Sequence, residues 1–278
     1  MKLKFLGTSA AEGVPAVFCN CANCRNAREK GGKNIRTRSQ ILIDTDVMFD
    51  FPMDTYMHVL KYNLDLSAVK YVLISHAHMD HCYPQEFIMR GGPFAHELTE
   101  KNVEVICNKT VREMFLSDIA REVRPEVAED ISVTAVCPYE RLNRGDLTIL
   151  PLPAQHTKGE ECLVYYVERG GSGALLLNDT GVLDGGVYKR LFDLGGRAKI
   201  VTFDCTYGVM RHGPGRHMGL LDAVDQAKLL RDAGVINSDT KLICTHLSHN
   251  TGLDYDGMQE EADRFGFTIA YDGYEVEI

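Results

Sequence analysis

His76-Ala77-His78-Met79-Asp80-His81 is the stretch on which the reading of this chain turns. Three imidazoles and a carboxylate fall within six residues, directly after the apolar run Tyr71-Val72-Leu73-Ile74-Ser75. In extended backbone, residues i and i+2 point the same way, so His76 and His78 can hold one cation. Asp80 and His81 come as the chain turns towards Pro84 and can face a second cation close by. Imidazole together with carboxylate suits Zn, Mn or Fe rather than Ca or Mg alone. The plainer alternative is a solvated histidine-rich loop, and the choice between them rests on whether the rest of the chain supplies further ligands.

It does so at matching places. His156 follows Ile149-Leu150-Pro151-Leu152, Asp179 follows Leu175-Leu176-Leu177-Asn178, and His246 follows Leu242-Ile243-Cys244-Thr245. Ends of strands are where a rigid scaffold presents ligands and catalytic groups. Other strand-like segments are Lys2–Leu6, Gln40–Asp44, Val103–Cys107, Ile131–Val136, Lys199–Asp204, Phe267–Ala270 and Tyr274–Ile278. Helical spacing of apolar residues marks Met53–Tyr62, Leu220–Ala233 (with Gly234 as C-cap) and Leu253–Phe265. Many strands with a few scattered helices and no regular alternation predict packed sheets with helices outside, a mixed α/β layered fold. No Pro/Ser-rich linker or repeat divides the 278 residues, so one domain over 1–278 is expected.

Composition narrows the partners. Thirty Lys and Arg against 39 Asp and Glu leave a net charge of −9, which offers no general attraction to nucleic acid. No apolar run approaches the roughly 20 residues needed to span a bilayer. The start, Met1-Lys2-Leu3-Lys4-Phe5-Leu6-Gly7, breaks too early for a signal peptide. Nine cysteines, an odd number, then point to a reducing cytoplasm.

The ordered set of a His-x-His-x-Asp-His block, a His, an Asp and a His resembles the metallo-β-lactamase superfamily, over the chain from its first strand to its last. The resemblance implies an αββα sandwich with two divalent metals, Zn or Mn, in a cleft at one edge. His76, His78 and His156 would hold one metal, Asp80, His81 and His246 the other, and Asp179 would bridge them. Asp44 in Leu42-Ile43-Asp44 resembles the family's early structural aspartate, which braces the metal loop.

Cys19-Asn20-Cys21-Ala22-Asn23-Cys24 is a separate cluster, with the knuckle spacing that chelates tetrahedral Zn and needs a fourth ligand. Cys107, Cys162, Cys205 and Cys244 sit singly in apolar runs, as small buried hydrophobes do. Within the superfamily, the cysteine knuckle and the loop Gly7-Thr8-Ser9-Ala10-Ala11-Glu12-Gly13-Val14-Pro15-Ala16 look like the phosphodiesterases of the carbon–phosphorus lyase pathway, which open a five-membered cyclic phosphate on ribose. That likeness implies His249 as the fourth ligand of one structural zinc. A pyrroloquinoline-quinone biosynthesis protein has a similar knuckle but lacks the intact histidine block.

Two metals lower the pKa of a shared water and neutralise charge on a phosphoryl oxygen, which is what phosphodiester hydrolysis requires. Gly215-Arg216-His217-Met218-Gly219 precedes the helix expected from Leu220, so a helix N-terminus with Arg216 and His217 reads as a seat for phosphate. The resemblance implies His217 as general acid or phosphate ligand, and Asp80 can help by orienting the nucleophile. Residues 82–96 are expected to line the substrate cleft, with His96 able to touch substrate. The residues point to a two-metal hydrolase, and the resemblance implies phosphodiester hydrolysis of a small cyclic phosphate, with no large nucleic acid and no membrane as partner. Relatives are often dimers, and the sequence leaves both monomer and homodimer open. The rivals are a tRNA 3′-end endoribonuclease, a thioester or lactam hydrolase, and a metal-binding accessory protein without turnover. The first needs a flexible basic arm that this chain lacks.

Overall fold

The computed structural model describes every residue from Met1 to Ile278. Strands β1 (Lys2–Gly7), β2 (Gln40–Ile43), β3 (Val47–Phe49), β4 (Tyr71–Leu73), β5 (Val103–Cys107) and β6 (Ile131–Ala135) form one sheet. Strands β7 (Leu142–Arg144), β8 (Leu147–Pro153), β9 (Leu163–Arg169), β10 (Ser172–Leu177), β11 (Ile200–Asp204), β12 (Lys241–Thr245) and β13 (Phe267–Ile269) form the other. The last strand, β14 (Glu275–Glu277), returns to the first sheet beside β1, giving the orders β14-β1-β2-β3-β4-β5-β6 and β13-β12-β11-β10-β9-β8-β7. The helices are α1 (Ala22–Lys30), α2 (Thr55–Tyr62), α3 (Lys109–Glu122), α4 (Pro125–Ala128), α5 (Gly185–Asp193), α6 (Leu220–Asp232) and α7 (Tyr255–Asp263).

Alternation of side chains along the strands builds three apolar layers. Ile149, Tyr165, Val167, Ala174 and Leu176 face the space between the sheets, where they meet Leu3, Phe5, Ile41 and Leu73. Their neighbours Leu150, Tyr166, Leu175 and Leu177 face outward onto α5, α6 and α7. On the other side, Val72 and Val105 pack with Val111, Phe115 and Ile119 of α3. Strands covered on both faces read as unbroken apolar runs, which is why β8 to β12 were so plain in the sequence. The result is the expected αββα sandwich, two central sheets flanked by helices.

The helices α1, α3, α4 and α5 and the strands β3 and β7 are additions to the sequence reading. The two strands span three residues each, too few for periodicity to show. Helix α5 opens on Gly185-Gly186, weak helix formers, and is started by Asp184, whose carboxylate accepts the Gly186 N–H at 2.7 Å. Helix α3 begins on Asn108, whose Oδ1 accepts the Val111 N–H at 2.9 Å. Val111, Phe115 and Ile119 in α3 do fall at the helical spacing of four.

One buried group, packed against the first sheet from α2, makes stability depend on pH. His58 of α2 is fully buried, with Nδ1 2.6 Å from Gln40 Oε1 and Nε2 2.7 Å from Thr37 Oγ1. Burial drives its pKa down to about 4. An unfolded histidine titrates near 6.5, so across that window the unfolded chain binds a proton that the folded chain refuses. Stability contributed by this neutral imidazole is whole above pH 6.5 and falls as pH drops towards 4. Chemical denaturation at pH 7 and 4.5 is expected to show wild type losing about 2–3 kcal/mol more than His58→Gln over that interval. Equal losses in the two proteins would refute the assignment.

Candidate metal centre

The carboxyl ends of β4, β10, β11 and β12 all open onto one edge of the sandwich, the place where open sheets of parallel strands present their ligands. The chain leaves β4 through Ile74 and Ser75 into the histidine block. Asp179 and His246, just beyond β10 and β12, have positive φ angles of 53° and 58°. Left-handed backbone at residues other than glycine is strained, and here the strain turns both side chains to the same spot.

Two groups of donors meet there. His76 Nε2 lies 2.9 Å from His78 Nδ1, which lies 3.1 Å from His156 Nε2, and Asp179 Oδ2 is 3.3 Å from His76 Nε2. In the second group, His81 Nε2 is 3.1 Å from Asp80 Oδ2 and 3.0 Å from Asp179 Oδ2, and His246 Nε2 is 3.7 Å from the same Asp179 oxygen. Asp179 belongs to both groups, and it also meets Asp204, His217 and His246 in a third, overlapping cluster. His81 Nε2, His246 Nε2 and Asp179 Oδ1 are buried and make no well-aligned hydrogen bond, although oppositely charged groups crowd them at 2.9–3.9 Å. Buried polar atoms are almost always paired, so three orphans converging with carboxylates fit a pair of divalent cations.

The charges in the cluster shift accordingly. His246 is buried, but Asp179, Asp204 and Asp80 outweigh burial and raise its pKa to about 10. His156 is held down to about 4 by burial. Asp179 is buried too, yet the imidazoles around it, His246 foremost, pull its carboxyl far below the usual range.

A second ring of residues orients the first. Asp50, fully buried and with φ of 60°, accepts the Ser75 N–H at 2.9 Å and pairs with His81 Nδ1 at 2.7 Å. That contact keeps the proton on Nδ1 and leaves Nε2 free to ligate. Bracing was expected from Asp44, and the structure corrects this. Asp44 sits at the opposite end of the strand, in the β2–β3 turn, where it accepts the Lys2 N–H at 2.8 Å and pairs with Arg169 at 2.6 Å. Asp50 went unnoticed in the sequence, where the one signal that could have found it is an acid inside the apolar run Val47-Met48-Phe49-Asp50-Phe51. Asp50→Asn would turn an N–H towards His81 Nδ1 and favour the wrong tautomer. Metal affinity is expected to fall by about 10–100-fold, read by competition with a chromogenic chelator. Unchanged affinity in a folded variant would refute the bracing role.

Asp204, which ends β11, also went unnoticed in the sequence, although it occupies a strand end just as Asp179 does. Its Oδ1 accepts the Thr206 and Met218 N–H groups, and its Oδ2 lies 3.1 Å from His217 Nδ1 and 3.3 Å from His246 Nδ1. His217 Nδ1 is also 2.9 Å from Asp179 Oδ1, so the structure brings His217 to the metal ligands. Burial disfavours its charge, but the two carboxylates prevail and raise its pKa to about 9.

The loop that carries His217 is pinned. Buried Asp222 accepts the backbone N–H groups of His212, Gly213 and Gly219 at 2.8–3.0 Å. Gly181 packs so tightly on this loop that a Cβ there would lie 1.8 Å from the Gly215 carbonyl. The same contacts correct the expected phosphate seat at the start of α6. The Gly219 N–H is taken by Asp222, the Leu220 N–H by the Gly208 carbonyl, and a carboxylate stands where the anion would sit. Arg216 keeps an exposed side chain beside the cluster, and its carbonyl lies 3.3 Å from His156 Nδ1. Past Pro84, the segment expected to line the cleft faces elsewhere. Phe87, Met89, Arg90 and Ala95 line a cavity over the outer face of the first sheet, and His96 is exposed on its lip.

Cys19, Cys21, Cys24 and His249 gather at the start of α1. Cys21 Sγ is 3.4 Å from His249 Nδ1, and backbone N–H groups of Ala16, Cys21 and Cys24 donate to sulfur atoms of Cys24, Cys19 and Cys21. His249 lowers the Cys21 pKa to about 6, whereas burial raises Cys24 to about 11. Three sulfurs and an imidazole are a complete donor set for tetrahedral zinc.

Residues 40–247 match the model of the beta-lactamase superfamily domain. The chain belongs to that superfamily. No curated protein matches it in sequence. Among solved structures, a superfamily diphosphatase described as belonging to the PhnP family is similar, with 20% identity, TM-score 0.73 and coverage of 100% of this chain and 96% of that one. Zinc-bound PqqB from Methylobacterium extorquens is 14% identical over the whole of both chains, with TM-score 0.75. The short form of human tRNase Z is 17% identical over 100% of this chain and 99% of that one, with TM-score 0.66. Metal-binding clusters in a metallo-hydrolase fold make this superfamily member a metal-dependent hydrolase. No helix is long and apolar enough to cross a membrane.

Proposed function

We propose that the chain is a dinuclear metallophosphodiesterase that hydrolyses a small cyclic phosphate, ribosyl or nucleoside, within a single domain over 1–278. His76 Nε2, His78 Nδ1 and His156 Nε2 would hold one cation. Asp80, His81 Nε2 and His246 Nε2 would hold the other, with Asp179 shared. Cys19, Cys21, Cys24 and His249 would hold a structural zinc that ties the N-terminal loop to the strand end bearing His246. Two bound divalent cations, Zn or Mn, supply Lewis-acid stabilisation of a phosphoryl oxygen and lower the pKa of water.

The observation that carries the reading is the seat of His217. Its Nδ1 is fixed by Asp204 and Asp179, which leaves Nε2 as the free nitrogen at the site. There His217 Nε2 gives its proton to the departing sugar oxygen as the phosphorus–oxygen bond breaks, while a water oxygen bonds to phosphorus from the opposite side and releases one of its protons to the surrounding water. Asp80 orients that water, and Arg216 contacts the remaining phosphoryl charge. The diphosphatase among the structural relatives also works on phosphorus, which favours this class over acyl transfer.

The test is a panel of substrates with metal-reconstituted protein: ribosyl cyclic phosphate, cyclic nucleotides, a chromogenic phosphodiester, a β-lactam and a thioester. Turnover of phosphodiesters above the acyl substrates is expected. Fully loaded protein that turns over none of the phosphodiesters would sink the proposal and leave a thioester or lactam hydrolase, or an accessory protein.

A further inference from the structure

The outer face of the first sheet carries an opening that plays no part in the metal chemistry. Beneath the turn at Pro84–Met89 lies a cavity of about 320 Å³, walled by Phe51, Val69, Val72, Phe87, Leu98 and Val103. Protein cores are close-packed, with few voids larger than a water molecule. An engineered apolar cavity of about 150 Å³ stays dry and takes up benzene, so one twice as large has room for roughly eight to ten carbons.

The mouth is polar and carries an uncompensated cation. Arg90 and His96 stand on the lip, which continues into a groove past Lys101 and Arg124. Arg90 Nη2 donates to the Glu100 carbonyl at 2.6 Å, but its Nε is buried with no partner, and the guanidinium makes no ion pair. The acids around it are committed elsewhere, Glu100 to Lys70 at 3.0 Å and Asp130 to Lys101 at 3.1 Å. Glu86 on the lip and Glu97 and Glu126 in the groove are the remaining acids. The lip is held in place by bonds from the Phe94 and Ala95 N–H groups to the Gly91 carbonyl, and by Gly91 itself, where a Cβ would come within 2.5 Å of Val127.

We infer that this cavity binds a medium-chain carboxylate, its alkyl chain among the apolar walls and its carboxylate on Arg90. The shape calls for an amphiphile, because the interior has nothing to offer a polar group and the lip holds a buried donor without an acceptor. The occupant would touch Phe51, whose N–H donates to the His81 carbonyl and whose carbonyl accepts the Tyr83 N–H, both at 2.8 Å. It would thus lie directly behind the histidine block. The inference stands apart from the phosphodiesterase reading.

Isothermal titration of the metal-loaded protein with octanoate tests it, with acetate and octanol as comparisons. Octanoate is expected to bind one-to-one, at least tenfold tighter than either comparison. Arg90→Gln should weaken it about tenfold, and Ala95→Phe, which fills the mouth, should abolish it. Acetate binding as well as octanoate would mean that carboxylates merely reach the metals. Octanol binding as well would leave Arg90 without a role, and absence of octanoate binding would leave the cavity without its ligand; each result overturns the inference. If Ala95→Phe does not fold, the contrast of octanoate with octanol in Arg90→Gln still decides.

Discussion

Asp179→Asn is expected to strip the histidine cluster of its cations while the cysteine cluster stays loaded. The Asp179 carboxylate lies within 3.3 Å of nitrogens of His76, His81, His156 and His217, and it belongs to both donor groups. Asparagine keeps the size and the left-handed backbone, which it tolerates well, so the fold should hold. The charge that balances five surrounding imidazoles is gone. Residues that merely orient ligands change affinity by about 10–100-fold, and loss of a shared ligand should exceed that range. Elemental analysis after dialysis against a weak chelator is the measurement. The expected result is loss of the edge metals with zinc retained at the cysteines. Full metal content in the variant would show that Asp179 is not a ligand.

His217→Ala separates proton transfer from metal binding. The variant should keep its metals, because no donor of either histidine group is removed. Its phosphodiester turnover should fall by about 10²–10⁴-fold, the range for loss of a positioned acid. A diester with a much better leaving group needs less protonation, so the variant should recover most of its rate on such a substrate. Asp204→Asn, which loosens His217 and His246 together, should reduce both turnover and metal affinity. An equal fall on good and poor leaving groups in His217→Ala would assign His217 to phosphate binding instead of proton donation.

The parts of this centre that could be read in the sequence are those whose evidence is short-range. His76, His78, Asp80 and His81 declare themselves by spacing, and β10 and β12 announce Asp179 and His246 by apolar runs that end on them. Asp50 and Asp204 were not found, because each matters through a partner distant in the chain, Asp50 through His81 and Asp204 through His217 and His246. The Asp44 expectation failed for the same reason. Two acids near one hairpin look alike in sequence, and only the pairing of β3 with β4 decides which faces the metal loop. The start of α6 shows a different limit. A glycine-rich loop before a helix suggests open N–H groups, yet Asp222 within the helix folds back and takes three of them.

That Asp179 is shared by the two donor groups, and that His246 completes the second from near the end of the chain, has a consequence for how the protein is made. About 165 residues separate His81 from His246, and at roughly 5–20 residues per second the ribosome needs some ten to thirty seconds to cross them. Early in that interval the nascent chain presents two imidazoles and a loose Asp-His pair, an open chelator with little power to choose among metals, and His156 and Asp179 are added before His246. The selective site comes into being only when β12 joins its sheet. Which ion the enzyme carries is therefore decided after synthesis, by what the cell offers at that moment, and overexpression in unbalanced medium should yield protein whose metal content reflects the broth.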